Sequence, residues 1–216
     1  NQIKSKKVLI SHGYAGNIIY SIKGLIRFLS FNRIKYSFFL KKMLSGFNHI
    51  VLLSNTVDKG RFYDLYITKK NRLNNFSIIP NGTDYINIDS SKRYFKKKYN
   101  ISSQYMILNV AGYCKLKNQM MSLKAFHRAK LKNSNLVFIG YKKNNYSSAL
   151  EKYCLRNRLE NVLIMENISK KDIESAYVSA DIFLCSSKTE AQPLVILDAM
   201  GVGLPFISTN VGCVKD

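Results

Sequence analysis

Residues 188–200 narrow the possible folds more than any other stretch of this chain. They open with a polar run (Lys188, Thr189, Glu190, Ala191, Gln192) and pass through Pro193 into Leu194, Val195, Ile196, Leu197, Asp198, Ala199 and Met200. Ahead of them, Ile182, Phe183, Leu184 and Cys185 form an apolar run with the length and bulk of a buried strand. Behind them, Gly201 and Gly203 stop a helix, and Leu204, Pro205, Phe206, Ile207 and Ser208 read as another short strand. Pro193 suits a first helical turn, where the N–H it lacks would have no intrahelical partner. Around Ala191, Gln192, Pro193 and Leu194, unpaired backbone N–H groups at the carboxyl end of a strand suit a phosphate. Glu190 precedes that cradle and Asp198 lies on the helix behind it, so two carboxylates flank one anion site. Spacing alone equally allows a plain strand–helix–strand connection whose acids are solvated.

The rest of the chain repeats the same alternation. Residues 106–111, 136–140 and 162–164 read as strands, with helices over 120–131 and 147–157 and a third from Ser169 through Val178. Ser169 is a good helix cap, and Asp172 falls in the first turn, which favours acids. Earlier strands are expected over 7–11, 49–54 and 76–79. Asn55 or Thr56 would cap a helix after the second, and Asn81-Gly82 would close the third with a turn of positive φ. Such alternation predicts parallel, doubly wound sheets with ligands held at the strand carboxyl ends.

Composition excludes some classes. With 46% hydrophobic and 12% aromatic residues the 216-residue chain is not disordered, and it can bury the core of one large domain or two small ones. Lys and Arg outnumber Asp and Glu 34 to 13, a net +21 that favours polyanions or an acidic membrane face. Lysines scattered through most loops fit a coding bias equally well. The basic, aromatic region from Ile18 to Lys42 could lie on an anionic membrane or face the core with a solvated basic side. Cys114, Cys154, Cys185 and Cys213 are widely spaced and read as reduced thiols of a cytoplasmic protein, not a zinc site or disulfide frame. No run approaches the length of a membrane span. The start at Asn1, without Met or a leader pattern, is expected of a fragment.

Ser187, Glu190, Pro193, Asp198, Ala199 and Met200 together resemble the acid–seven residues–acid motif of retaining nucleotide-sugar glycosyltransferases of group 1, with Asp198 in place of the second Glu. Pro80, Asn81, Gly82, Thr83 and Asp84 resemble the segment that joins the two domains in that family. Residues 112–119 resemble its diphosphate loop, with Lys117-Asn118 matching the Lys-Gly/Asn end and Gly112 or Tyr113 standing where the family has Arg.

The resemblance implies the GT-B architecture of two Rossmann-like domains. Residues 1–87 would be the last part of the acceptor-side domain, only partly present, and residues 88–216 a donor domain truncated at its C-terminal end. It further implies transfer of a sugar from a nucleoside-diphosphate donor to a hydroxyl on a glycan or lipid-linked acceptor, with retention, in surface polysaccharide synthesis. Lys117, with Lys115 and the backbone at Gly112, would neutralise the diphosphate, Glu190 and His12 would face the donor sugar, and Asp198 would hold the ribose. No Asp-x-Asp occurs, so no metal and no cofactor are expected. The protein would work in the cytoplasm, in peripheral contact with the inner membrane face. Two other readings are a GT-B-like binding protein or inactive fragment, and a basic nucleic-acid-binding protein. For the last, neither a clustered basic face nor a binding motif is visible, and no nucleic-acid partner is expected.

Overall fold

The computed structural model describes residues 8–10, 42, 44–54, 65, 68–69, 72–83 and 94–215. The chain divides into two compact units. One comprises Asn1–Asn81, Glu190–Gln192 and Asn210–Asp216, the other Gly82–Thr189 and Pro193–Thr209. Residues 87 and 88, where the sequence places the domain boundary, lie outside the described residues. So do the helical pattern over residues 18–29 and the expected caps Asn55 and Thr56.

The first unit holds a parallel three-stranded sheet, β1 (Val8–Ile10), β2 (His49–Leu52) and β3 (Phe76–Ile78), in that order. Ile50 and Leu52 alternate into the interior, as a period of two demands, and pack with Leu44, Leu65 and Leu73. The turn after β3 departs from expectation. Neither Asn81 nor Gly82 adopts positive φ. The backbone N–H of Asn81 instead donates to the side-chain oxygen of Gln192 at 2.6 Å. A long-range side chain therefore satisfies the segment that a local turn was expected to close.

In the second unit, α1 (Tyr94–Lys98) leads into a regular alternation: β4 (Tyr105–Val110), α2 (Gln119–Ala129), β5 (Ser134–Gly140), α3 (Asn145–Arg156), β6 (Val162–Glu166), α4 (Lys170–Ser179), β7 (Ile182–Cys185), α5 (Leu194–Gly201) and β8 (Phe206–Ser208). The five strands are all parallel and lie in the order β6-β5-β4-β7-β8. From β4 the chain winds outward through β5 and β6, then returns to the other side of β4 for β7 and β8. Right-handed crossovers put α2 and α3 on one face and α4 and α5 on the other. The first face buries Leu123, Phe126, Leu136, Phe138 and Leu150. On the other, Tyr177 stacks on Phe183 at 5.5 Å between ring centres.

Helix limits follow local capping. The helix expected over 147–157 starts two residues earlier because Asn144 accepts from the N–H groups of Tyr146 and Ser147, and Ser147 Oγ accepts in return from the N–H of Asn144. Asn100, Asn118, Asn133 and Asn167 take left-handed turns that elsewhere fall to glycine. The four cysteines are free thiols.

Asp172, placed by sequence in the first turn of α4, does more than cap it. Lys98 Nζ donates to both its carboxylate oxygens at 2.8 Å and Ser169 Oγ to one at 2.7 Å, which fastens α1 to α4. The Lys98 hydrogen bonds, then that of Ser169, hold the carboxyl below its ordinary 3.8. A depressed folded value means the stabilisation is complete above the unfolded value and lost as pH falls through the folded one. In urea unfolding, Asp172→Asn should be less stable than the parent at pH 7, and the gap should close below about pH 3.8. A gap independent of pH would count against the ion pair.

Candidate functional site

The strand order sets where a ligand can bind. Between β4 and β7 the direction of winding reverses, so the loops leaving their carboxyl ends diverge to opposite faces and open a crevice. The two segments singled out in the sequence leave these same two strands. Residues 111–118 follow β4 and residues 186–193 follow β7.

The loop after β4 is built on Tyr113. Its ring is 4% exposed and its hydroxyl donates to the carbonyl of Met165 at 2.6 Å. A Cβ on Gly140 would lie 2.4 Å from that ring, so β5 has glycine where the tyrosine passes. Burial pushes the phenol well above its ordinary value. Tyr113 is therefore a core residue, and no charge stands at this position. Beneath the loop, buried Gln119 donates to the carbonyls of Ala111 and Gly112 at 3.3 and 3.0 Å. Gly112 and Lys115 are exposed and Lys117 half-buried. Asn118 turns at φ 54°, a conformation that Gly and Asn enter at least cost, and this starts α2.

The two crevice loops are joined to each other. Ser186 Oγ contacts the carbonyls of Lys117 and Asn118 at 3.2 and 2.9 Å and the hydroxyl of Ser122 at 2.7 Å. The N–H of Lys188 donates to the carbonyl of Leu116 at 2.7 Å. Lys115 and Lys117 are thus presented on a loop whose backbone is held by the strand end that leads to Glu190.

Glu190, Ala191 and Gln192 belong to the first unit, with 210–216. Gly212 at φ 55° packs so closely that an added Cβ would lie 2.1 Å from the carbonyl oxygen of Ala191, and the N–H of Cys213 donates to that oxygen at 3.1 Å. Pro193 caps α5 from outside instead of entering its first turn. With no side chain capping it, α5 starts on backbone N–H groups at Leu194 and Val195. Asp198, in the second turn, accepts a hydrogen bond from the hydroxyl of Thr83. Among the described residues no group of three or more His, Cys, Asp and Glu could hold a metal. His12 lies outside the described residues. The contacts of Ser122, Ser186, Gly212 and Thr83 are not legible in the sequence because each is made with a distant partner, 64 residues away for Ser122 and Ser186 and 115 for Thr83 and Asp198.

The sequence model of "Glycosyl transferases group 1" matches residues 91–216, more than half of the chain. The chain belongs to this family. It is 24% identical over 215 residues to an Escherichia coli protein described as O-antigen biosynthesis glycosyltransferase WclY, covering 97% of this chain and 55% of that one. The chain thus spans about half the length of the WclY relatives it matches. Among solved structures, WaaG, a glycosyltransferase involved in lipopolysaccharide biosynthesis, superposes with a TM-score of 0.73 at 20% identity, over 98% of this chain and 58% of that one. Anabaena Alr3699/HepE in complex with UDP and glucose gives 0.72 at 16% identity, over 96% and 54%. These likenesses establish the GT-B fold for this group 1 chain.

The two left-handed glycines among the described residues test the loop that carries Glu190. Gly203 has φ 69° and open space around it, whereas Gly212 faces a carbonyl that cannot yield. Gly203→Ala should cost about 1 kcal/mol in urea unfolding, the backbone penalty alone, and Gly212→Ala about 2–3 kcal/mol or more as overpacking adds to it. Equal losses would show that Gly212 does not clamp residues 190–191.

Proposed function

We propose that this chain forms part of an enzyme that transfers a sugar from a nucleoside-diphosphate donor to a hydroxyl acceptor with retention of anomeric configuration. The observation that carries the reading is the joining of the Lys115–Lys117 loop to the strand end preceding Glu190, at the switch point of a group 1 glycosyltransferase sheet. Breaking the bond between the anomeric carbon and phosphate leaves charge on the diphosphate. Preformed cations and backbone dipoles stabilise that charge best where water is excluded. Lys117 and Lys115 supply the cations, the backbone at Gly112 allows close approach, and the N–H groups following Ala191 and Gln192 at the start of α5, beyond Pro193 at Leu194, supply the dipole. Glu190, with His12, positions the donor sugar, and Asp198 holds the ribose.

On this reading residues 1–87 are the end of the acceptor-side domain and residues 88–216 the donor domain. The acceptor is a glycan or lipid-linked hydroxyl in surface polysaccharide synthesis, as the O-antigen role of the WclY relatives supports. The enzyme works in the cytoplasm, in peripheral contact with the inner membrane face. Among the described residues no helix is long and apolar enough to cross a membrane.

Lys117→Ala should weaken UDP or GDP binding by about 1.5–3 kcal/mol, the range for a hydrogen bond to a charged group. Calorimetric titration of the 216-residue chain measures this, and unchanged affinity would remove Lys117 from the site. Turnover by the parent enzyme is expected to survive EDTA and to give a product of retained configuration by anomeric NMR. Activity that EDTA abolishes and manganese restores would overturn the metal-free reading, and an inverted product the retaining one.

A further inference from the structure

The segment at residues 80–83 has no chemical role in sugar transfer as proposed, yet one of its side chains touches the site. The Thr83 hydroxyl donates to Oδ1 of Asp198, across 115 residues of sequence. The pair borders a groove of about 460 Å³ between α4 and α5, with Lys170, Glu174, Tyr177 and Leu194 among its lining. Tyr177 Oη donates to the carbonyl of Val195 at 3.3 Å, and Lys170 pairs with Glu174 at 3.9 Å. Thr83 is itself exposed, so its hydroxyl is not required to fill the core.

An aspartate on a helix can rotate its carboxyl group, because the terminal torsion is broad. A ligand diol needs that plane fixed, since it donates to the carboxylate along defined lone-pair directions. A donor on Oδ1 fixes the plane and leaves Oδ2 to accept from a ligand. We infer that Thr83 is a positioning residue that orients Asp198 toward the ribose hydroxyls of a donor nucleotide, an assignment that rests on Asp198 being the ribose ligand. The segment at residues 80–83 is thereby part of nucleotide recognition.

The test uses the 216-residue chain with UDP, 2′,3′-dideoxy-UDP and inorganic diphosphate, measured by calorimetry for the parent, Thr83→Val, Thr83→Ser and Asp198→Asn. Thr83→Val should weaken UDP about 3- to 10-fold, the loss of one hydrogen bond's orienting effect, and Thr83→Ser should restore it. Neither should alter inorganic diphosphate binding, and the valine penalty should vanish for the dideoxy nucleotide. A valine variant that binds UDP like the parent, while Asp198→Asn weakens it, overturns the role of Thr83 and leaves Asp198 as the ribose ligand. If Asp198→Asn also binds UDP normally, or the parent binds no nucleotide, the assignment of Asp198 fails and the inference with it. A valine penalty that is equal for inorganic diphosphate reports a general distortion and likewise overturns the proposal. Melting temperatures of all four proteins separate a folding defect from a binding one, and Thr83→Ser against the parent still decides the matter if valine unfolds the chain.

Discussion

The arrangement depends on a hydroxyl at the end of β7. Ser186, 2% exposed, contacts Ser122 on α2 and the carbonyls of Lys117 and Asn118, and the next N–H but one ties Lys188 to Leu116. A loop of about eight residues between strand and helix would otherwise sample many conformations, at a cost of about 1–2 kcal/mol per residue to fix each. Fixing it from beneath lets two lysines share one short loop without the loop collapsing or swinging away. On the reading proposed above, the fixed loop backbone keeps both lysines beside the leaving group, and charge preorganised in this way is the condition for electrostatic catalysis.

The net charge of +21 has a more diffuse meaning. Some of it is structural. Lys98 fastens α1 to α4 through Asp172, and Lys96 meets Asp181, whose carboxylate also accepts from the N–H of Met106 at the start of β4. Others lie on exposed helix and loop surfaces, such as Lys130 and Lys132. A uniformly basic surface raises the local concentration of any polyanion, a nucleotide sugar included, without choosing among them. On the reading proposed above, choice falls to a few groups: Lys117, Glu190 and Asp198.

Residues 190–192 show how one stretch of sequence can serve two bodies. They are flanked on both sides by residues of the second unit yet cluster with the first, where Gln192 supports Asn81 and Gly212 packs on Ala191. Pro193 returns the chain to α5, and its fixed φ makes that return abrupt. Thr83 and Asp198 make the corresponding tie within the second unit. The motif at residues 80–83 and the motif at residues 188–200 are therefore paired in space, which no local rule connects.

The sequence by itself determined the alternation of strands and helices, because burial on both faces of a parallel sheet writes apolar runs at 106–110 (broken only by Asn109), 136–140 and 182–185 that periodicity can find. It also marked Lys117-Asn118 and Glu190 to Asp198 as loop and helix positions after two of those strands. Only the tertiary structure decided that those two strands are neighbours at the switch point, since strand order depends on which faces pack together and not on any single run. It likewise decided that Tyr113 is core, that Asn81 is held by Gln192 instead of a turn, and that Asp198 meets Thr83. Each of these rests on a hydrogen bond or contact between residues 25 to 115 positions apart, and such partners leave no mark on local composition.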